Sequence, residues 1–260
     1  MQDVIDLFLA LLLAHLLADF PLQTDSIASG KRNRRVRSYF EHGLIHFVVA
    51  IVCIALFARV NLLSYRVWGL LLAYIAVHLL IDVFKEKLVC REALADNATS
   101  FVCDQLLHVL TILGVSVVLV MPNWLSLKSR LTWSAKLQHQ VLVGALVYVA
   151  VVFAGGYLIR YLTRSLAAKV QADGETQEEV RNAGLYIGWL ERFLVVSAVV
   201  AQSPSMVGLI LTGKSIARFP ELKEAKFAEY FLIGTFLSVS VALVGGFVLL
   251  KSWYGTISLK

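Results

Sequence analysis

The stretch His15-Leu-Leu-Ala-Asp19-Phe-Pro-Leu-Gln23 decides how the chain is to be folded. It closes an apolar run, Val4 to Phe20, on a histidine and an aspartate four residues apart, and Pro21 stops the helix there. A spacing of i, i+4 sets both side chains on one helix face. Three more apolar segments carry the same mark at one end: His42 with His46, His78 with Asp82, and Asp104-Gln105 with His108. Polar groups are costly inside membrane-length helices, so their recurrence points to a shared polar interior.

The rest of the composition agrees with membrane helices. Of 260 residues, 58% are hydrophobic, and the mean hydropathy is +0.74, too apolar for an ordinary soluble domain. The apolar residues run continuously without alternating, which argues against a transmembrane barrel. The predicted fold is all-α, a polytopic transmembrane bundle of six or seven segments. The net charge of +6 lies mainly in loops, notably Lys31-Arg-Asn-Arg-Arg-Val-Arg37. Such a loop suits the cytoplasmic face of an anionic membrane, and nucleic acid is not expected as a partner. Cys53, Cys90 and Cys103 have neither an even count nor zinc-type spacing and read as packing residues. Asp3 and Asp6 stand where a cleavable signal carries basic residues, so the first segment is expected to be retained.

Helices are predicted at 4–20, 39–58, 67–84, 101–121 and 141–161, with a basic loop at 21–38 and an interfacial surface segment at 85–100. Trp124 and Trp133 suggest an aromatic interface belt between the fourth and fifth. The hydrophilic run Asp173-Gly-Glu-Thr-Gln-Glu-Glu179 predicts a boundary. This gives an N-terminal bundle at 1–161, a cytoplasmic linker at 162–183 and a membrane subdomain at 184–260. Positive-inside counting places the loops 21–38, 85–100 and 162–182 in the cytoplasm, although Lys128, Arg130 and Lys136 then lie outside. Residues 185–212 admit two readings, one span broken at Gln202-Ser-Pro204-Ser or a re-entrant hairpin turning there. The stretch 228–250 predicts a final membrane helix.

On this threading the four polar pairs share one membrane level. Imidazole and carboxylate donors together suit a divalent transition metal, zinc first, with manganese and iron as alternatives. A metal held by His15, Asp19, His42, His46, His78, Asp82 and His108, or by three or four of them, acidifies a bound water to a nucleophile. Asp19, Asp82 and Asp104 are candidate general bases, and Lys85 a candidate phosphate or oxyanion donor. The bland alternative is that single intramembrane histidines bond neighbouring helices and that Asp104 caps a helix. In the second half, Glu191 and Arg192 read either as partners of Lys214, Arg218 or Glu229, or as part of a cationic head-group pocket of Arg192, Lys214 and Arg218. Gly184 and Gly188 are spaced for close helix packing.

The patterns His15-x-x-x-Asp19-Phe-x-x-Gln23, His42-x-x-x-His46, His78-x-x-x-Asp82-x-x-Lys85 and Asp104-Gln105-x-x-His108 resemble an uncharacterised family of bacterial multi-pass membrane proteins, a domain of unknown function. Gly188-x-x-Glu191-Arg192, Lys214-Ser-Ile-Ala-Arg218-Phe and Ala228-Glu-Tyr-Phe-Leu-Ile-Gly-Thr235 are similar to its longer members. More distantly, the placement of His and Asp at helix ends resembles the membrane-bound metal-dependent hydrolases. The expected function is therefore a metal-dependent hydrolase of the bacterial inner membrane, with its site at the cytoplasmic interface. Its expected substrate is a lipid-linked or phosphate-bearing amphiphile, with membrane lipids as partners and homo-oligomers allowed. The alternatives are a transporter or channel passing a metal ion or proton through the same residues, and a membrane subunit of a larger complex.

Overall fold

The protein is described by a computed structural model covering residues 2–58, 60–120, 134–171 and 178–255. These residues are helical without strands among them and divide into two compact units, Met1–Leu146 and Val147–Lys260.

In the first unit, α1 (Gln2–Asp19), α3 (Val36–Phe57), α4 (Tyr65–Cys90) and α5 (Ala98–Val120) form a closed four-helix arrangement. Helix α1 packs on α3 and α5, and α4 packs on the same two from the other side. The short α2 (Asp25–Arg32) lies against α3 and α4. The residues at the ends explain the boundaries. Thr24 caps α2 by accepting the Ile27 N–H at 3.3 Å. Asn97 and Ser100 cap α5 reciprocally, each side chain accepting the other's backbone N–H at 3.0 and 3.1 Å.

The bundle exposes large apolar side chains and buries polar ones beside an apolar core of residues such as Leu7, Leu11, Ile54, Leu71 and Ile112. Leu44, Leu72, Leu80 and Leu110 are each more than half exposed, whereas the histidines of α1, α3, α4 and α5 are almost wholly buried. This inversion is what lipid, not water, as the surrounding solvent demands. Among the described residues, five helices are long and apolar enough to cross a membrane: Val36–Phe57, Tyr65–Cys90, Ala98–Val120, Ala135–Ala168 and Ala225–Tyr254. Helix α1 bears Asp3, Asp6 and Asp19 in its 18 residues and is not among the five.

In the second unit, the long helix comprises α6 (Ala135–Val149, which begins in the first unit), a π-helical turn Ala150–Ala154, and α7 (Gly155–Gln171). Helix α8 (Glu178–Val200) turns back through 201–203 into α9 (Pro204–Ala217), and α10 (Ala225–Tyr254) packs on α7 and α8. Gly245 and Gly246 of α10 admit Val151 and Val199, with no room for a Cβ at either position.

Several expectations change. The basic loop 21–38 contains α2 and the start of α3, because Thr24 supplies a cap that charge counting overlooks. The surface segment 85–100 begins as the last turns of α4, so Lys85 is a helix residue. The linker 162–183 is helical through Gln171 and again from Glu178. Residues 185–212 form a hairpin in which Lys214 returns to the level of Glu191. Among the cysteines, Cys53 is buried, but Cys90 and Cys103 are exposed and do not fill a core. Trp124, Lys128, Arg130, Trp133 and residues 172–177 lie outside the described residues.

Candidate metal centre

Antiparallel neighbours place the C-terminal end of α1, the start of α3, the end of α4 and the start of α5 at one end of the bundle. The predicted residues His15, Asp19, His42, His46, His78, Asp82, Asp104 and His108 meet there. Asp19 is the hub of one side. Its carboxylate oxygens lie 2.9 Å from His46 Nε2, 3.2 Å from His42 Nε2, 3.5 Å from His15 Nε2 and 3.7 Å from His78 Nε2. Asp82 spans two sides. Its Oδ2 is 3.4 Å from His42 Nε2 and 3.8 Å from His78 Nε2, while its Oδ1 is 3.4 Å from His108 Nε2. Asp104 Oδ1 stands 3.6 Å from His108 Nε2.

The rings also touch one another. His42 and His78 approach through their Nε2 atoms at 3.2 Å, and His78 and His108 through their Nδ1 atoms at 3.0 Å. Gln105, beside Asp104 in sequence, brings Oε1 to 3.3 Å from His15 Nε2.

Two lysines serve the carboxylates. Lys85 donates to Asp104 Oδ2 at 2.9 Å. Lys31, the first residue of the basic run 31–37, is buried and donates to Asp82 Oδ2 at 2.7 Å and to Gln23 Oε1 at 3.2 Å. Burial alone would depress its ammonium, but the charges of Asp82 and Asp19 outweigh that and hold it above the ordinary lysine value. The available signal was periodicity: Ile27, Gly30 and Lys31 form one face of α2, and the tight approach of Gly30 to Ser38 seats that face on α3.

Arg192, Lys214 and Arg218, the predicted head-group cations, each have a partner. Arg192 donates through Nε and Nη2 to the Val152 carbonyl of the π turn at 3.1 and 2.7 Å, and its Nη1 stands 3.5 Å from Ser238 Oγ. Lys214 donates to Glu191 at 2.6 Å, and Arg218 to Glu221 at 3.1 Å. Gly156 and Gly188 leave room for the Arg192 guanidinium, whereas Gly184 faces open space.

Fold and site together define a helical membrane protein with a buried His/Asp cluster inside a four-helix bundle. The chain belongs to the family described as protein of unknown function (DUF3307), whose match spans residues 7–154. That span takes in all four polar pairs, and residues 155–260, with the second-half motifs, lie beyond it. No curated protein and no solved structure matches the chain.

Proposed function

We propose that the chain is a metal-dependent hydrolase of the bacterial inner membrane, acting at the cytoplasmic interface on a lipid-linked or phosphate-bearing amphiphile. One observation carries the reading, the spacing of the donor atoms. Charge-assisted hydrogen bonds contract to about 2.7–2.9 Å, yet most histidine-to-carboxylate distances in the centre run from 3.2 to 3.8 Å. Two donors bound tetrahedrally to one metal at about 2.0–2.1 Å stand about 3.4 Å apart. The cluster thus has the edge lengths of a coordination shell.

Charge supports the same reading. With neutral imidazoles, Asp19, Asp82 and Asp104 face Lys31 and Lys85, leaving one negative charge in a buried site. A divalent ion, zinc before manganese or iron, reverses that deficit and supplies an acidified water. Asp82 and Asp104 would then be placed to accept a proton, and Lys31 and Lys85, which donate to their Oδ2 atoms, would supply positive charge for an anionic oxygen of the substrate.

The test is metal analysis of purified protein beside the His15→Ala/His78→Ala double variant, with p-nitrophenyl phosphate and a short-chain phosphatidic acid as substrates. Wild type should carry metal and lose hydrolysis to a chelator, and the variant should carry little. Metal-free wild type, unchanged in thermal stability by added zinc or manganese, overturns the proposal.

A second reading, transport of a metal ion or proton by the same residues, is favoured by burial. The five imidazoles are at most 1% exposed, so anything larger than an ion must displace protein to reach them. Uptake of zinc or protons into vesicles by protein lacking hydrolysis would select it.

A further inference from the structure

We infer that the centre holds two metal ions, and that this arrangement selects a phosphate ester as substrate; the inference rests on the metal-centre reading above. The donors form three overlapping groups, of which the two outer ones share no member, while His42, His78 and Asp82 form the group between them. His15, Asp19 and His46 stand on one side, and Asp82, Asp104 and His108 on the other, each within groups whose ligand atoms lie inside 4.8 Å of one another.

The second set is independently marked as incomplete. Asp104 Oδ1 and His108 Nε2 are buried and find no hydrogen-bond partner among the described residues, although the second oxygens of Asp104 and Asp82 are taken by Lys85 and Lys31. A buried acceptor left unsatisfied is destabilising unless something binds there. Here His108 Nε2 lies 3.4 Å from Asp82 Oδ1 and 3.6 Å from Asp104 Oδ1, and the three residues offer ligand atoms within 4.8 Å of one another. Asp82 turns its other oxygen toward His42 and His78, and His78 in turn belongs to the group of His15, Asp19 and His46.

Ring tautomers fit the same assignment. A His108 that ligates through Nε2 carries its proton on Nδ1 and donates it to His78 Nδ1, 3.0 Å away. A neutral His78 then carries its own proton on Nε2, directed at His42 and Asp19, and orients both sets without ligating either. Sites of this kind hold their ions about 3.5–4 Å apart and clamp the attacking and leaving oxygens of a phosphoryl displacement. Two divalent ions beside Lys31 and Lys85 leave the centre positive, and a phosphate group neutralises that excess.

The test uses the full chain in detergent, stripped with chelator and reloaded with manganese, with bound metal counted by mass spectrometry and the ion pair read by electron paramagnetic resonance. Wild type should bind two ions per chain with an exchange-coupled signal. Asp104→Asn and His108→Gln should bind one, uncoupled. One ion in wild type overturns this inference and leaves the single-metal reading standing, two retained in Asp104→Asn overturns the assignment of the second ion to Asp82, Asp104 and His108, and none in wild type overturns both readings. The wild-type count and coupling decide the matter even where a variant does not fold.

Discussion

Lys31 Nζ lies 2.7 Å from Asp82 Oδ2, joining α2 to α4 across 51 residues of chain in a buried ion pair. Removing one member of such a pair strands the other charge without water. Lys31→Ala is expected to destabilise metal-free protein by about 3–5 kcal/mol, measured as a lower midpoint of thermal unfolding in detergent with chelator present. Because the folded-state value of Lys31 is raised above 10.5, its contribution is fully present below that pH and is lost as pH climbs through the higher value.

Arg192 should resist even a conservative change. Its planar fork reaches one backbone carbonyl with two nitrogens, a grip that a lysine ammonium does not reproduce. Arg192→Lys is expected to cost about 1–3 kcal/mol by weakening the bonds to the Val152 carbonyl. The check is thermal unfolding beside Arg218→Lys, whose half-exposed pair with Glu221 should be worth at most about 1 kcal/mol.

Two glycines of similar appearance should behave oppositely. A Cβ at Gly156 meets the Arg192 guanidinium, so Gly156→Ala should cost about 1–3 kcal/mol through overpacking. Gly184 has nothing within 4 Å, and Gly184→Ala should gain up to about 1 kcal/mol from helix propensity. Paired melting curves of the two variants test the difference in sign.

The α8–α9 turn offers a stabilising change. Gln202 has φ +54°, a left-handed conformation that glycine adopts without cost. Gln202→Gly is expected to leave the hairpin intact and raise stability by about 1 kcal/mol, read from the shift in thermal midpoint.

Much of the centre was legible from spacing alone. Each i, i+4 pair lay on one helix face, and alternating chain direction put the four pairs at one level, so convergence followed without any knowledge of packing. The boundaries were less legible for a local reason. Arg34, Glu92 and Gln202 all take left-handed conformations at helix ends, where glycine is the usual sign, so the stops after α2, α4 and α8 carried no marker. Lys31 was missed because charge counting treats a basic run as one solvated block, whereas Lys31 is buried on α2 while its neighbours Arg32 and Arg34 are exposed. The roles of Arg192 and Lys214 depended on which groups lay opposite, the Val152 carbonyl 40 residues away and Glu191 23 residues away, and only one of those is a side chain that a sequence motif can display.

The centre also sets an order on the making of the molecule. His15 and its partner Gln105 are 90 residues apart, and a ribosome adding about 5–20 residues per second needs roughly 5 to 18 s to cover that distance. Throughout that interval α1 is complete while α5, which carries Asp104, Gln105 and His108, does not yet exist. The polar end of the first helix must therefore wait beside water, lipid head groups or an insertion factor until the last of its four walls arrives. A chain cut short before α5 leaves His15 without Gln105 and Asp82 without His108, which makes the assembled cluster a record that synthesis of the bundle ran to completion.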